Sequence, residues 1–202
     1  MKKITILALA IIIALGTAYA ATTIKLGHEA PNFTLKDSKG TSHSLSDFRG
    51  KYVVLEWINF GCPFVKKHYD GKNMQKIQKF YTGKDVVWLA ICSSAEGKQG
   101  HMTTDEINDK LKDYGFAGTA YLIDEDGTVG KQYKAKTTPH MYIIDPEGKL
   151  VYVGAIDSIR STDPEDCDKA DNYVKNALEE ALHGKEITEK STTPYGCSVK
   201  YK

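Results

Sequence analysis

The stretch KYVVLEWINFGCPFVKKHY, residues 51–69, runs a β-branched apolar segment straight into a cysteine and a proline. KYVVLEW (51–57) suits a short buried strand. From Pro63 the pattern turns helical, and proline fits the first helical position because its missing N–H would find no intrahelical acceptor there. Asp70–Gly71 interrupts this helix, after which Met74, Ile77 and Tyr81 mark one face at i, i+3 and i+7. Cys62 therefore sits where a strand ends and a helix begins. The free N–H groups and the positive dipole end of a helix favour a thiolate, the reactive form of cysteine, and Lys66, Lys67 and His68 add positive potential nearby. Trp57, Ile58, Phe60 and Phe64 would also house a buried structural cysteine. The Cys–Pro dipeptide at the junction favours the reactive thiol.

On both sides of this stretch the pattern is that of an α/β domain with a mixed central sheet. Residues 30–40 open with Pro31, alternate, and turn at Asp37–Gly40; DVVWLAIC (85–92) is a second buried strand. TTDEINDKLKDYG (103–115) predicts a helix with a capping box at Thr103 and Glu106 and a stripe of Ile107, Leu111 and Tyr114. TAYLIDEDGTVGKQY (119–133) reads as a strand and a turn, and TPHMYIIDPEGKLVYVGAI (138–156) as a hairpin turning at Asp145–Gly148. A final helix is predicted from Asp163–Pro164 to Gly184, with Cys167, Ala170, Val174, Ala177, Leu178 and Ala181 on its apolar stripe. That stripe serves a core as well as a dimer. No solenoid repeat and no low-complexity segment occurs.

Residues 1–20 read as an export signal. Lys2 and Lys3 precede an apolar run, ITILALAIIIALG (4–16), and TAYA (17–20) ends in a small-x-small site with cleavage after Ala20. The run is short of the ~20 residues a membrane span needs, so no stable anchor is expected after cleavage. Removing the two lysines leaves 25 basic against 26 acidic residues in 21–202, without a long run of one sign. Nothing in that balance points to nucleic acid or an anionic membrane. The expected organisation is a signal at 1–20, one domain at 21–185 and a polar tail at 186–202. All four cysteines, Cys62, Cys92, Cys167 and Cys197, follow the signal. An exported chain meets an oxidising compartment, and four cysteines allow three full pairings.

APNFTLKDSKG (30–40), GKYVVLEW (50–57), CPFVKKHY (62–69), TTPHMYIIDPEGKLVYVGAID (137–157) and PYGCSVKY (194–201) together resemble the thioredoxin-like redoxin superfamily, including its alkyl hydroperoxide reductase/thiol-specific antioxidant group. The resemblance covers most of the chain after the signal. It implies a thioredoxin-like fold, a mixed sheet flanked by helices, with Thr138–Pro139 as a cis-proline element beside the reactive cysteine. It also implies that the Thr138 backbone pairs with extended substrates, that Pro139, Pro63 and Phe64 help line the groove, and that His140 lies close by. Partners would be thiol- or disulfide-containing proteins or small thiols, with no cofactor.

Three chemistries compete: thiol–disulfide exchange through a mixed disulfide on Cys62, peroxide reduction through a sulfenic acid, and a binding module without turnover. Peroxiredoxins of the family carry P-x-x-x-[ST]-x-x-C. Here Leu55 replaces the proline and Asn59 the hydroxyl residue, and after the signal the only arginines are Arg49 and Arg160. These departures favour the thioredoxin side. Val65 stands where a C-x-x-C partner would be. Cys92, ending a strand, and Cys167, on the helix stripe, read as core residues. Cys197 sits in the polar tail and matches the GCSVKY ending of the resembling branch, so it is expected to resolve Cys62 or close a disulfide with it; a free tail thiol, or a pair with Cys92 or Cys167, stays open. No metal site is expected: Lys66 defeats the C-x-x-x-C spacing of copper-delivery relatives, and the six histidines are scattered. No phosphate loop appears.

Overall fold

A computed structural model describes residues 24–202; the export segment read at 1–20 lies outside the described residues. The chain runs β1 (Thr34–Asp37), β2 (Ser42–Ser44), β3 (Val53–Trp57), α1 (Pro63–Asp70), α2 (Asn73–Thr82), β4 (Val87–Cys92), α3 (Thr104–Tyr114), β5 (Ala120–Ile123), α4 (Thr128–Gln132), β6 (Thr137–Thr138), β7 (His140–Ile144), β8 (Leu150–Gly154), α5 (Tyr173–Leu182) and β9 (Cys197–Ser198). Seven strands form one sheet in the order β2-β1-β5-β4-β3-β7-β8, and β6 pairs with β9 in a second, two-stranded sheet. β3 is parallel to β4 and antiparallel to β7, and β4 is parallel to β5. This is the mixed α/β sheet of a thioredoxin-like fold.

β3, β4 and β7 are buried along their whole length, as strands of a sheet covered on both faces are. One face packs against Val65, Tyr69, Met74, Tyr81, Val174 and Leu178 of α1, α2 and α5. The other packs against Phe33, Leu45, Val129 and Tyr133. Among the described residues no helix is long and apolar enough to cross a membrane.

Most predicted elements form within a residue or two, including the capping box of Thr103 and Glu106. Two differ. The segment read as a turn after β5 contains the short helix α4. The Asp124 carboxylate accepts the N–H groups of Val129 and Gly130, and Gly127 enters the helix at φ 71°, a left-handed conformation that glycine tolerates. The predicted C-terminal helix is split. Asp163 caps only a 3₁₀ turn over Pro164–Cys167, and the helix proper starts at α5, where the Asn172 side chain accepts Lys175 N–H. Two competing caps in one polar stretch explain the break. Cys167 thus lies off the helix stripe, half-buried, with Sγ 3.6 Å from His68 Nδ1.

Candidate active site

Cys62 is the N-cap residue of α1, in extended conformation, and its carbonyl takes the N–H groups of Val65 and Lys66 at 3.0 and 2.9 Å. Asn59 shapes the approach: its Oδ1 accepts Gly61 N–H at 2.7 Å and its Nδ2 donates to Gln99 O at 3.0 Å. The Cys62 side chain is fully buried, and Sγ donates to Thr138 O at 3.1 Å. The Thr138–Pro139 peptide is cis. Thr138 and Pro139 are buried, Pro63 is exposed and Phe64 half-buried.

The tail reaches the same spot. β9 lies antiparallel on β6, with Thr138 opposite Cys197 and Thr137 opposite Ser198. Gly196, at φ +136°, makes this approach possible, because a Cβ there would run into the Thr138 carbonyl. Cys197 is half-buried beside Cys62; burial first, then hydrogen bonding to and the charge of Cys62, push its thiol up to about 11. All four cysteines are free thiols. The structure therefore brings Cys62, Thr138 and Cys197 together across three distant parts of the chain. A tail that travels freely is not what it shows: Lys190 O accepts Val153 N–H at 3.1 Å, Thr192 Oγ1 accepts Ala155 N–H at 2.8 Å, and Val199 N–H donates to Lys136 O at 3.1 Å.

The positive potential read around Cys62 is largely spoken for. Lys67 is buried, with its ammonium 3.1 Å from Asp157 Oδ2 and 2.7 Å from Ile159 O. His68 is buried too, and burial holds its pKa down to about 4, so it is neutral. His68, Asp157 and Cys167 each bring one ligand-type atom within 4.8 Å of the others, but the Lys67 ammonium already occupies the Asp157 carboxylate. His140 sits in the core, its Nδ1 accepting Lys136 N–H at 3.3 Å, and burial lowers its pKa to about 4.

Sequence reasoning missed three groups: Tyr195, the Lys67–Asp157 pair and Glu56. An aromatic beside Gly–Cys in a polar tail, and an acid inside an apolar strand, were the signals available. Glu56 is fully buried on β3, accepting from Trp88 Nε1 (2.8 Å), Tyr69 Oη (3.1 Å) and Gln78 Nε2 (3.2 Å). Burial outweighs these donors and raises its pKa from 4.5 to about 7. The folded chain therefore keeps a proton that the unfolded chain loses, so this group's contribution to stability falls as pH rises from 4.5 to 7 and is flat above. In Glu56→Gln the amide nitrogen can face the Tyr69 hydroxyl while the oxygen keeps Trp88 and Gln78. Its stability relative to wild type is expected to rise by about 3 kcal/mol between pH 4 and pH 8. His68 and His140, which cost stability as pH falls from 6.5 towards 4, cancel in that difference. Urea unfolding of both proteins at the two pH values measures it, and a pH-independent difference refutes it.

A cysteine capping the first helix after the central strand, faced by a cis Thr–Pro, defines the thioredoxin-like class of redox folds. Within that class the chain belongs to the AhpC/TSA family, whose model matches residues 26–153. It is 32% identical over 151 residues to the thiol-disulfide oxidoreductase ResA of Bacillus subtilis (strain 168), covering 72% of this chain and 79% of that one. An uncharacterized conserved protein from Geobacillus kaustophilus superposes with a TM-score of 0.77 at 29% identity, over 89% of this chain and 94% of that chain. The thioredoxin domain of a thiol-disulfide oxidoreductase from Bacteroides vulgatus shares the fold, with a TM-score of 0.52 at 23% identity over 73% of this chain and 97% of that chain.

Proposed function

We propose that the protein is a thioredoxin-type thiol–disulfide oxidoreductase working outside the cytoplasm, with Cys62 as nucleophile and Cys197 as resolving thiol. The observation that carries this is the register of β6 and β9, which sets Cys197 opposite Thr138 while Cys62 Sγ bonds the Thr138 carbonyl. The relative named a thiol-disulfide oxidoreductase supports the activity. The export pattern of residues 1–20 supports the compartment, and the domain would then occupy 21–185 with 186–202 as the tail that supplies the second thiol. Substrates are thiol- or disulfide-containing proteins or small thiols, with Thr138, Pro139, Pro63 and Phe64 around the groove.

In this reading the Cys62 thiolate attacks a substrate disulfide. One substrate sulfur leaves as a thiolate and the other stays bonded to Cys62. Cys197 then attacks Cys62 Sγ, the mixed disulfide breaks, and the second substrate sulfur is released as the Cys62–Cys197 bond forms. The substrate gains two electrons and the protein loses two. The test is a disulfide map of the exported protein, with free thiols blocked before digestion and linked peptides read by mass. A Cys62–Cys197 link that a mild dithiol reduces is expected; a Cys62 that stays free under oxidation removes Cys197 from the mechanism. The family match favours peroxidase activity as a second reading, which consumption of hydrogen peroxide dependent on Cys62 would reveal.

A further inference from the structure

The residue before Cys197's glycine is the one buried aromatic of the tail's approach to the site. Tyr195 is 6% exposed. Its hydroxyl donates to Asp157 Oδ1, while Lys67 Nζ holds Asp157 Oδ2 at 3.1 Å and lies 5.7 Å from the Tyr195 ring centre. The ring also meets Phe64 edge-on, with centroids 5.8 Å apart. Phe64 and Lys67 belong to α1, the helix that Cys62 caps. Tyr195 thus plugs the tail into the helix bearing the nucleophile, and Gly196 and Cys197 follow directly onto the Thr138 edge. Cys62 is fully buried under this arrangement, and an attacking thiol needs an open line to its target sulfur.

We propose that Tyr195 is a positioning residue, a latch that seats β9 on β6, so that the tail leaves the Thr138 edge for Cys62 to take up a disulfide and returns for Cys197 to discharge it. This rests on the reading of Cys62 and Cys197 given above. With the tail off, Cys62 bonds one sulfur of the substrate disulfide and the other departs as a thiolate. When the tail returns, Cys197 loses its proton and bonds Cys62 Sγ, the bond from Cys62 Sγ to the remaining substrate sulfur breaks, and that sulfur departs with the bonding pair and takes up a proton. Seating the tail also removes the product's backbone from Thr138, because one strand edge pairs with one partner at a time.

The two halves respond oppositely to a broken latch. The full-length protein, with Cys92 replaced by alanine and Cys167 by serine throughout, is mixed with dithiobisnitrobenzoate, an aromatic disulfide that frees one coloured thiolate when Cys62 attacks and a second when Cys197 resolves. In Tyr195→Ala the first release is expected about tenfold faster or more and the second about tenfold slower or more, since a held thiol reacts with a high effective concentration that a loose one loses. Tyr195→Phe keeps the ring against Phe64 and loses only the hydroxyl's bonds to Asp157 and Lys67, so it should shift both phases the same way by less; it also decides the matter if the alanine variant fails to fold. Unchanged rates in both phases, or two phases that move together, overturn the latch and leave the oxidoreductase reading standing. No release in any variant, latched or unlatched, overturns that reading itself.

Discussion

Replacing Cys62 by serine is expected to abolish disulfide reductase turnover while the protein remains folded. The hydroxyl is close in size to the thiol and can still donate to Thr138 O, as the thiol does in the structure. It is not ionised at neutral pH, and no other thiol caps the helix after β3. The loss should reach at least about a thousandfold, as removal of a covalent nucleophile does elsewhere. Insulin reduction in the presence of a dithiol, with the thermal midpoint as the control for folding, is the measurement. Turnover retained by Cys62→Ser would transfer the chemistry to another cysteine. Cys197→Ser separates the two roles: it should still bond a substrate at Cys62 but accumulate the mixed disulfide, visible as a mass increment on the Cys62 peptide.

The largest expected effect on stability comes from Lys67→Met. Both members of the Lys67–Asp157 pair are almost wholly inaccessible, at 0% and 1% side-chain exposure. Methionine fills much of the lysine's volume but leaves the Asp157 carboxylate buried with only Tyr195 Oη and Ile159 N–H as donors. Stranding one charge of a buried pair costs about 3–5 kcal/mol. Adding Asp157→Asn to Lys67→Met removes the stranded charge and can keep the Tyr195 contact, so the double variant should recover more than half of the loss. Urea midpoints at constant m-value test this. A single-variant loss below about 1 kcal/mol would be in the range of an exposed ion pair and would refute it.

The parts of this fold legible from residues alone are those where periodicity and caps agree. β3, β4, β7 and β8 announce themselves by apolar runs and turn residues, and α3 by its capping box. The start of the C-terminal helix is not legible in this way because Asp163–Pro164 is as good a start signal as Asn172, and which cap wins depends on packing that a linear pattern does not record. The nearness of Cys62 and Thr138 came from resemblance, since nothing in the spacing of 62 and 138 requires them to meet. The Tyr195–Asp157–Lys67 cluster was invisible for a different reason. A lysine on a helix and a tyrosine in a tail look solvated until the fold brings an aspartate between them, and burial is then tolerable only because all three are bonded to one another.

The register of β9 on β6 also bears on how the molecule is born. A chain synthesised from its N-terminus presents β3, α1 and Cys62 early, and β9, which pairs beside Cys62, only much later. Until then the Cys62 thiol lacks that cover, and Cys92 and Cys167 emerge before Cys197. Loss of residues 191–202 would take β9 off β6 and leave the Cys62 thiol without that cover. Residues 195–199 are thus the late-made part on which the cover of Cys62 depends.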